Sequence, residues 1–278
     1  MWLLDENKNL MQVDGLDRSV QFGDGFFETI QIHNGQIQNW PLHEKRIVKS
    51  LAALKLSLTI TEIQDQLNQA LAKLLSAQDQ NLETGKAVLK MMVSRGESAR
   101  GYGFSIDIKN TIRFSLSKAV EIDDSLISDG VDLVFCDTQC AIQSQLAGIK
   151  HLNRLENVLA RNEVAQTQAF EGLMCNQLGH VIEGTMSNVF FYINKQWVTP
   201  RLNLSGVAGV ARAWALDWFS SNGGVVEQEL SKVDVSRSQS AFICNSQMGF
   251  LPVKRIEQQA LESSQVVEEL NRCWMLKE

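Results

Sequence analysis

Few residue types can do covalent chemistry at an aldehyde, and lysine is the foremost. Lys150 lies in Ala147-Gly148-Ile149-Lys150-His151-Leu152-Asn153-Arg154-Leu155-Glu156. Asn153 can cap a helix that starts just after it, and Glu156, three positions on, can return the bond. Leu155, Val158, Leu159 and Ala165 then share one helical face, expected to point inward. A lysine placed before a helix N-terminus and flanked by Ile149 and Leu152 is biased toward its neutral amine. Taken alone, it reads first as an ordinary solvated lysine, since lysines are mostly exposed.

Other candidates surround it in the chain. Arg95 and Arg100 lie in Ser94-Arg95-Gly96-Glu97-Ser98-Ala99-Arg100-Gly101, after a strand. A guanidinium matches a carboxylate two bonds at a time, so this loop is either a carboxylate-binding element or an exposed hairpin loop. Glu183 ends an apolar strand, where a charge needs a partner unless it faces solvent. Gly206-Val207-Ala208-Gly209-Val210-Ala211-Arg212 opens a helix with small residues, which suits an anion at the helix N-terminus. Ser246 sits in a polar turn, able to donate to an anion or merely to cap the turn. His43 and Arg46, three apart on a helix, share a face.

The elements that must hold these groups alternate between strand and helix. Phe22 to Ile37 reads as a hairpin turning at Asn34-Gly35. A helix is expected from about Leu42 to Leu54, with Leu42, Ile47, Leu51 and Leu54 inward. A second, opened by a Thr61/Gln64 capping box, carries the stripe Ile63, Leu67, Leu71, Leu74 and Leu75. Strands follow at 86–93, around Ile112-Phe114-Leu116, at 131–136, 172–175, on both sides of Gly184-Thr185-Met186-Ser187, and at 241–253. The last helix runs from about Ser264 to Met275. Residues 117–130 lose the pattern. The expected division is a domain over 1–117, a linker over 118–130 and a cofactor-binding domain over 131–278.

Composition narrows the function classes. The 278 residues are 44% hydrophobic and 21% charged, with net charge −6. No basic tract interleaved with aromatics points to nucleic acid, and no apolar run is long enough for a membrane span. The acidic start, Met1-Trp2-Leu3-Leu4-Asp5-Glu6, is not that of a secretion signal. Five cysteines without a Cys-x-x-Cys pair, and four histidines without ligand spacing, suggest reduced cytoplasmic thiols and no bound metal.

Taken together, these stretches resemble the fold-type IV pyridoxal phosphate enzymes. The matching pieces are Gln21-Phe22-Gly23-Asp24-Gly25, Ser94-Arg95-Gly96 with Arg100-Gly101-Tyr102, the Lys150 run, Glu183 with Asn188, Thr199-Pro200-Arg201, Gly209 with Arg212, and Cys244-Asn245. Lys-His-Leu-Asn-Arg-Leu-Glu is most similar to the branch that releases pyruvate from 4-amino-4-deoxychorismate and leaves 4-aminobenzoate, a step of folate biosynthesis. The resemblance implies an α/β (α+β) chain of two domains, a small N-terminal one and a larger C-terminal one with a β-barrel-like core. It implies pyridoxal 5'-phosphate as cofactor and a homodimer acting on a small molecule. Lys150 would form the aldimine with the cofactor and move the substrate proton. Glu183 would face the ring nitrogen. Arg46, the N–H groups around Val210 and Ala211, and Ser246 would hold the phosphate, and Asn188 would help place the cofactor. Arg100, with Arg95 behind it, would meet the substrate carboxylate.

Two features depart from that branch. Residues 183–188, Glu-Gly-Thr-Met-Ser-Asn, are closer to D-amino acid aminotransferases, and Glu28 stands where the branch can carry a hydroxyl residue. A D-amino acid or branched-chain aminotransferase is therefore the alternative. A non-catalytic cofactor-binding protein is a third reading.

Overall fold

The computed structural model describes residues 17–77, 85–98, 101–105 and 107–275. The chain divides into two compact units. One holds Met1–Val120 with Lys150–Asn153, the other Glu121–Ile149 with Arg154–Glu278. The division falls inside the stretch expected to be a linker. Residues 131–278 do not stay together, because Lys150–Asn153 group with the first unit.

The first unit begins with α1 (Arg18–Phe22), capped by the Asp17 side chain on the Ser19 N–H. β1 (Gly25–His33) and β2 (Gln36–Ile37) form the hairpin expected from Asn34-Gly35. Both turn residues have positive φ, 49° and 74°, as a two-residue turn between twisted strands requires. Then come α2 (Trp40–Leu54), α3 (Ile60–Ala77), β3 (Lys86–Ser94) and β4 (Thr111–Lys118). The four strands make an antiparallel sheet in the order β2-β1-β3-β4. Ile30 and Ile32 of β1 and Leu89, Met91 and Val93 of β3 alternate inward against Ile47 and Leu51 of α2 and Ile63, Leu67 and Leu71 of α3. Each such side chain contributes about 1.5–3 kcal/mol through burial. The capping box of α3 is Thr59/Glu62, not Thr61/Gln64. The Glu62 carboxylate accepts the Thr59 N–H at 2.7 Å, and Thr59 Oγ1 accepts the Glu62 N–H at 3.2 Å. Both pairs fit the sequence pattern, and the carboxylate is the stronger acceptor.

The second unit contains α4 (Asp124–Ser128), β5 (Val131–Phe135), α5 (Leu155–Val164), β6 (Glu171–Cys175), β7 (Val181–Gly184), β8 (Asn188–Ile193) and β9 (Gln196–Pro200). It continues through α6 (Val210–Ser220), β10 (Val225–Gln228), α7 (Lys232–Val235), β11 (Ser240–Asn245), β12 (Gly249–Ile256), β13 (Gln259–Ala260) and α8 (Gln265–Met275). The strand order is β10-β9-β8-β11-β12-β5-β6-β7, with β13 on β12. β7 and β8 stand five steps apart in that order, about 24 Å at ordinary strand spacing. Only Thr185, Met186 and Ser187 join them, a link of four Cα steps that spans at most about 15 Å. The sheet must therefore curl back on itself, which gives the barrel-like core expected for this half. Val189, Phe191, Ile243, Leu251 and Val253 fill it. Cys136, Cys140, Cys175 and Cys244 are buried, and burial pushes the Cys136 thiol up to about 12, so these thiols pack as small apolar groups.

α5 differs from its expectation in two ways. Its N-cap is Arg154, without a side-chain cap bond, while Asn153 Nδ2 donates to the Gly23 carbonyl and Glu156 accepts the Ala141 N–H. Its buried residues are Ala160 and Val164, whereas Leu155, Val158 and Leu159 are exposed at 77%, 61% and 59%. No described helix is long and apolar enough to cross a membrane.

Candidate active site

In the first unit, Lys150 sits on a short extended segment added to β1. The Phe27 N–H donates to the Lys150 carbonyl at 3.0 Å, the Leu152 N–H to the Gly25 carbonyl at 3.0 Å, and Phe26 pairs with His151. Gly25 has no room for a side chain: a Cβ would overlap the Val93 carbonyl. The backbone of the lysine is thus held on both sides by sheet bonds. Its half-buried side chain places Nζ 4.2 Å from the centroid of the Phe27 ring. The helix begins only at Leu155, and a macrodipole fades within its first turn. The aromatic ring of Phe27 therefore lies against the amine, and the start of the helix is too far along the chain to be its main neighbour.

Beneath β1 lies a group that periodicity does not reveal by itself. Phe26, Glu28, Ile30 and Ile32 occupy the inward phase of β1, so the Glu28 carboxylate enters the core fully buried. It is met by α2. Arg46 Nε donates to Oε1 at 2.8 Å, Arg46 Nη2 to Oε2 at 2.5 Å, and His43 Nδ1 lies 2.7 Å from Oε2. Burial alone raises the Glu28 pKa. The Arg46 charge and hydrogen bonds, with His43, outweigh it and hold the group down to about 2. Arg46 is therefore a buried arginine with a fixed fork, not a surface one. The inward phase of β1 was the available signal for Glu28, and its partners stand 15 and 18 residues away.

Arg95 does not serve as expected. It is buried, with Nε and Nη2 on the two oxygens of Asp24 at 2.8 and 3.0 Å, and donates to the Leu54 and Lys55 carbonyls at 2.6 and 3.0 Å. Its fork ties a loop to the end of α2 and is not presented to a substrate. Arg18 binds the same Asp24 at 2.8 Å and reaches the carbonyls of Gly101, Tyr102 and Gly103. Burial raises the Asp24 pKa, and the bonds and charges of Arg95 and Arg18 more than offset it. Arg100 lies outside the described residues.

In the second unit, Glu183 closes β7 and is buried. Its Oε2 accepts the Val207 N–H at 2.7 Å. Asn188, at the start of β8, grips the same loop from both sides. Its Nδ2 donates to the Val207 carbonyl at 2.9 Å, and its Oδ1 accepts the Gly209 N–H at 3.1 Å. Two glycines permit this. Gly206 has φ +83°, and a Cβ there would stand 2.6 Å from Ile182 Cγ2; at Gly209 a Cβ would overlap Asn188 Oδ1. Gly209 is also the N-cap of α6 and brings no side-chain cap, so Val210 and Ala211 begin a helix whose first N–H groups face no capping side chain. Ser246 follows β11 in a turn where Asn245 Oδ1 accepts the Gln247 and Met248 N–H groups and Asn245 Nδ2 donates to the Met186 carbonyl at 3.2 Å. The structure thus brings Glu183, Asn188 and the start of α6 together, and ties the Ser246 turn to the link between β7 and β8.

Each unit, taken by itself, carries groups whose chemistry suits an anionic aldehyde with a basic ring. The first has a fixed lysine and a fixed arginine. The second has a buried carboxylate and a helix start without a side-chain cap. The donor set fits pyridoxal phosphate.

Comparison with known proteins places the chain in a family. Residues 25–256 match the model of the amino-transferase class IV family. An aminodeoxychorismate lyase of Vibrio harveyi is 34% identical over 244 residues, 86% of either chain. A D-alanine aminotransferase of Bacillus licheniformis is 28% identical over 90% of this chain and 85% of its own. The crystal structure of 4-amino-4-deoxychorismate lyase from Pseudomonas aeruginosa superimposes with a TM-score of 0.87 at 30% identity, covering 96% of each chain. The chain belongs to the amino-transferase class IV family.

Proposed function

We propose that this protein is a pyridoxal phosphate-dependent lyase that converts 4-amino-4-deoxychorismate to 4-aminobenzoate and pyruvate. The observation that carries the reading is Lys150: an amine on a backbone fixed to β1, beside an aromatic face, in a chain 34% identical to an aminodeoxychorismate lyase. Members of the family use pyridoxal phosphate. When bound, it supplies an electrophilic aldehyde and a ring that draws electrons from the carbon bearing the substrate nitrogen.

The chain's own groups have distinct tasks in this reading. The Lys150 amine would hold the cofactor at its aldehyde and, once the substrate amine takes its place there, would be free to accept the proton from the substrate carbon and to return one as pyruvate leaves. Glu183, a buried carboxylate, would face the ring nitrogen and favour a proton on it. Arg46, oriented by Glu28, would supply charge to the phosphate, and the first N–H groups of α6 at Val210 and Ala211, with the Ser246 hydroxyl, would be its hydrogen-bond donors. Asn188 fixes Val207 and Gly209, and so the helix start. Arg100 meets a substrate carboxylate.

The protein acts as a cytoplasmic homodimer in this account. The exposed Leu155, Val158 and Leu159 on α5 supply an apolar face suited to a second copy. A second reading, an aminotransferase on the same cofactor, is favoured by Glu-Gly-Thr-Met-Ser-Asn at 183–188. Incubation with 4-amino-4-deoxychorismate separates the two. The lyase releases pyruvate and fluorescent 4-aminobenzoate in equal amounts with no keto acid added. An enzyme that turns over only when a D- or branched-chain amino acid and a keto acid are both supplied is the aminotransferase.

A further inference from the structure

Glu171 opens β6 and is fully buried, yet nothing in the roles assigned above uses it. Five donors converge on its carboxylate. Oε1 accepts the Gly172 N–H at 2.9 Å, the Thr185 N–H at 3.1 Å and the Thr185 hydroxyl at 2.5 Å. Oε2 accepts the Met186 N–H at 3.2 Å and the Ser187 hydroxyl at 2.9 Å. Arg161, half exposed, stands 3.6 Å from Oε1. Four of the five donors come from Thr185-Met186-Ser187, the three-residue link between β7 and β8.

That link is a junction. Glu183 lies just before it and Asn188 just after it, and both bind the 207–209 loop at the start of α6. Its Thr185 carbonyl accepts Asn157 Nδ2 at 3.1 Å, and its Met186 carbonyl accepts Asn245 Nδ2, next to Ser246. One buried acceptor therefore fixes the turn from which the second unit's candidate groups are hung. An amide cannot replace it. Glutamine accepts with only one of its two terminal atoms, so its NH2 would face either the Met186 N–H or the Thr185 N–H, donor against donor. Gly184, tightly packed against Ser187 Oγ and Glu171, leaves the turn no room to relax on that side.

We propose that Glu171 is a positioning residue for the cofactor-binding groups of the second unit, acting through the Thr185–Ser187 turn on Glu183 and Asn188. This rests on the reading of Glu183 and Asn188 as cofactor-binding groups, and it names the residue that orients them.

The test is pyridoxal phosphate binding by the purified apoprotein, followed by absorbance and by equilibrium dialysis, with thermal unfolding measured in parallel. Glu171→Gln is expected to weaken binding by about tenfold or more and to shift the absorption band of the bound cofactor. Ser187→Ala, which removes one donor and keeps the carboxylate, is expected to weaken it by about threefold, with almost no further loss when added to Glu171→Gln. Val267→Ala, a cavity in the packing of α8, serves as the control: it lowers the unfolding temperature and leaves the dissociation constant unchanged. Wild-type affinity and spectrum in both Glu171→Gln and Ser187→Ala, with unfolding temperatures lowered as in the control, would overturn the proposal. If Glu171→Gln does not fold, Ser187→Ala decides alone. A wild-type protein that binds no pyridoxal phosphate would overturn the underlying reading as well, an outcome distinct from unchanged variants of a binding-competent protein.

Discussion

Among the described residues, each unit buries one glutamate completely, and the two are stabilised in different ways. Glu28 in the first unit is matched by charge, with the Arg46 fork on both oxygens and His43 alongside. Glu171 in the second is matched mainly by neutral donors, five of them, from the backbone and two hydroxyls. A carboxylate paired with an arginine fixes a cation, which can then serve an anionic ligand. A carboxylate ringed by neutral donors fixes a turn. The first arrangement presents a charge and the second presents a geometry, and the substitutions that break them should therefore differ in kind.

The largest expected effect lies at neither glutamate but at Lys150. Lys150→Ala should lower turnover by at least about a thousandfold, measured as 4-aminobenzoate formed, while thermal unfolding stays near wild type. Activity within tenfold of wild type would remove the amine from the mechanism. Arg46→Ala comes next. It strands the Glu28 charge in the core and should cost about 3–5 kcal/mol in urea unfolding, with loss of pyridoxal phosphate binding. A loss below about 1 kcal/mol would mean that the pair is not the closed unit described here.

Glu28 also carries a pH signature that sharpens the contrast. Its folded pKa, about 2, lies below the ordinary value of 4.5. The pair therefore stabilises the fold fully above about pH 4.5, and that contribution is lost as pH falls toward 2. Unfolding temperatures measured from pH 6 down to pH 2.5 should fall steeply for wild type and less steeply for Glu28→Gln. Parallel curves would show that Glu28 does not titrate as its surroundings require. The smallest effect belongs to a site in neither cluster. Thr59→Ala removes the capping box of α3 and should cost about 1 kcal/mol with no change in cofactor affinity.

What could be read from the chain follows the same division between local and distant causes. Asn34-Gly35, the β3 apolar run and the α3 stripe are set by residues a few positions apart, and the structure has a turn, a strand and a helix there. The Arg46–Glu28 and Arg95–Asp24 pairs join residues far apart in sequence, so motif position could single out the arginines without revealing what they bind. That is why Arg95, next to a glycine in a polar loop, read as a substrate contact and is a structural tie. α5 shows a second limit. Periodicity marks an apolar stripe but not what it faces, and here Ala160 and Val164 pack inward while the leucines point out. Glu171 shows a third: a single acidic residue before Gly-Leu-Met-Cys carries no pattern, and only the return of the β7–β8 link over it reveals its task.

The central claim, that Lys150 is the residue that binds the cofactor aldehyde, is open to direct chemical mapping. Apoprotein is incubated with pyridoxal phosphate, reduced with borohydride, digested and analysed by mass spectrometry. The account predicts one stoichiometric adduct, on the peptide containing Ile149-Lys150-His151, absent when Lys150→Ala is treated in the same way. An adduct spread over surface lysines, or a single stoichiometric one elsewhere with Lys150 unmodified, would contradict it.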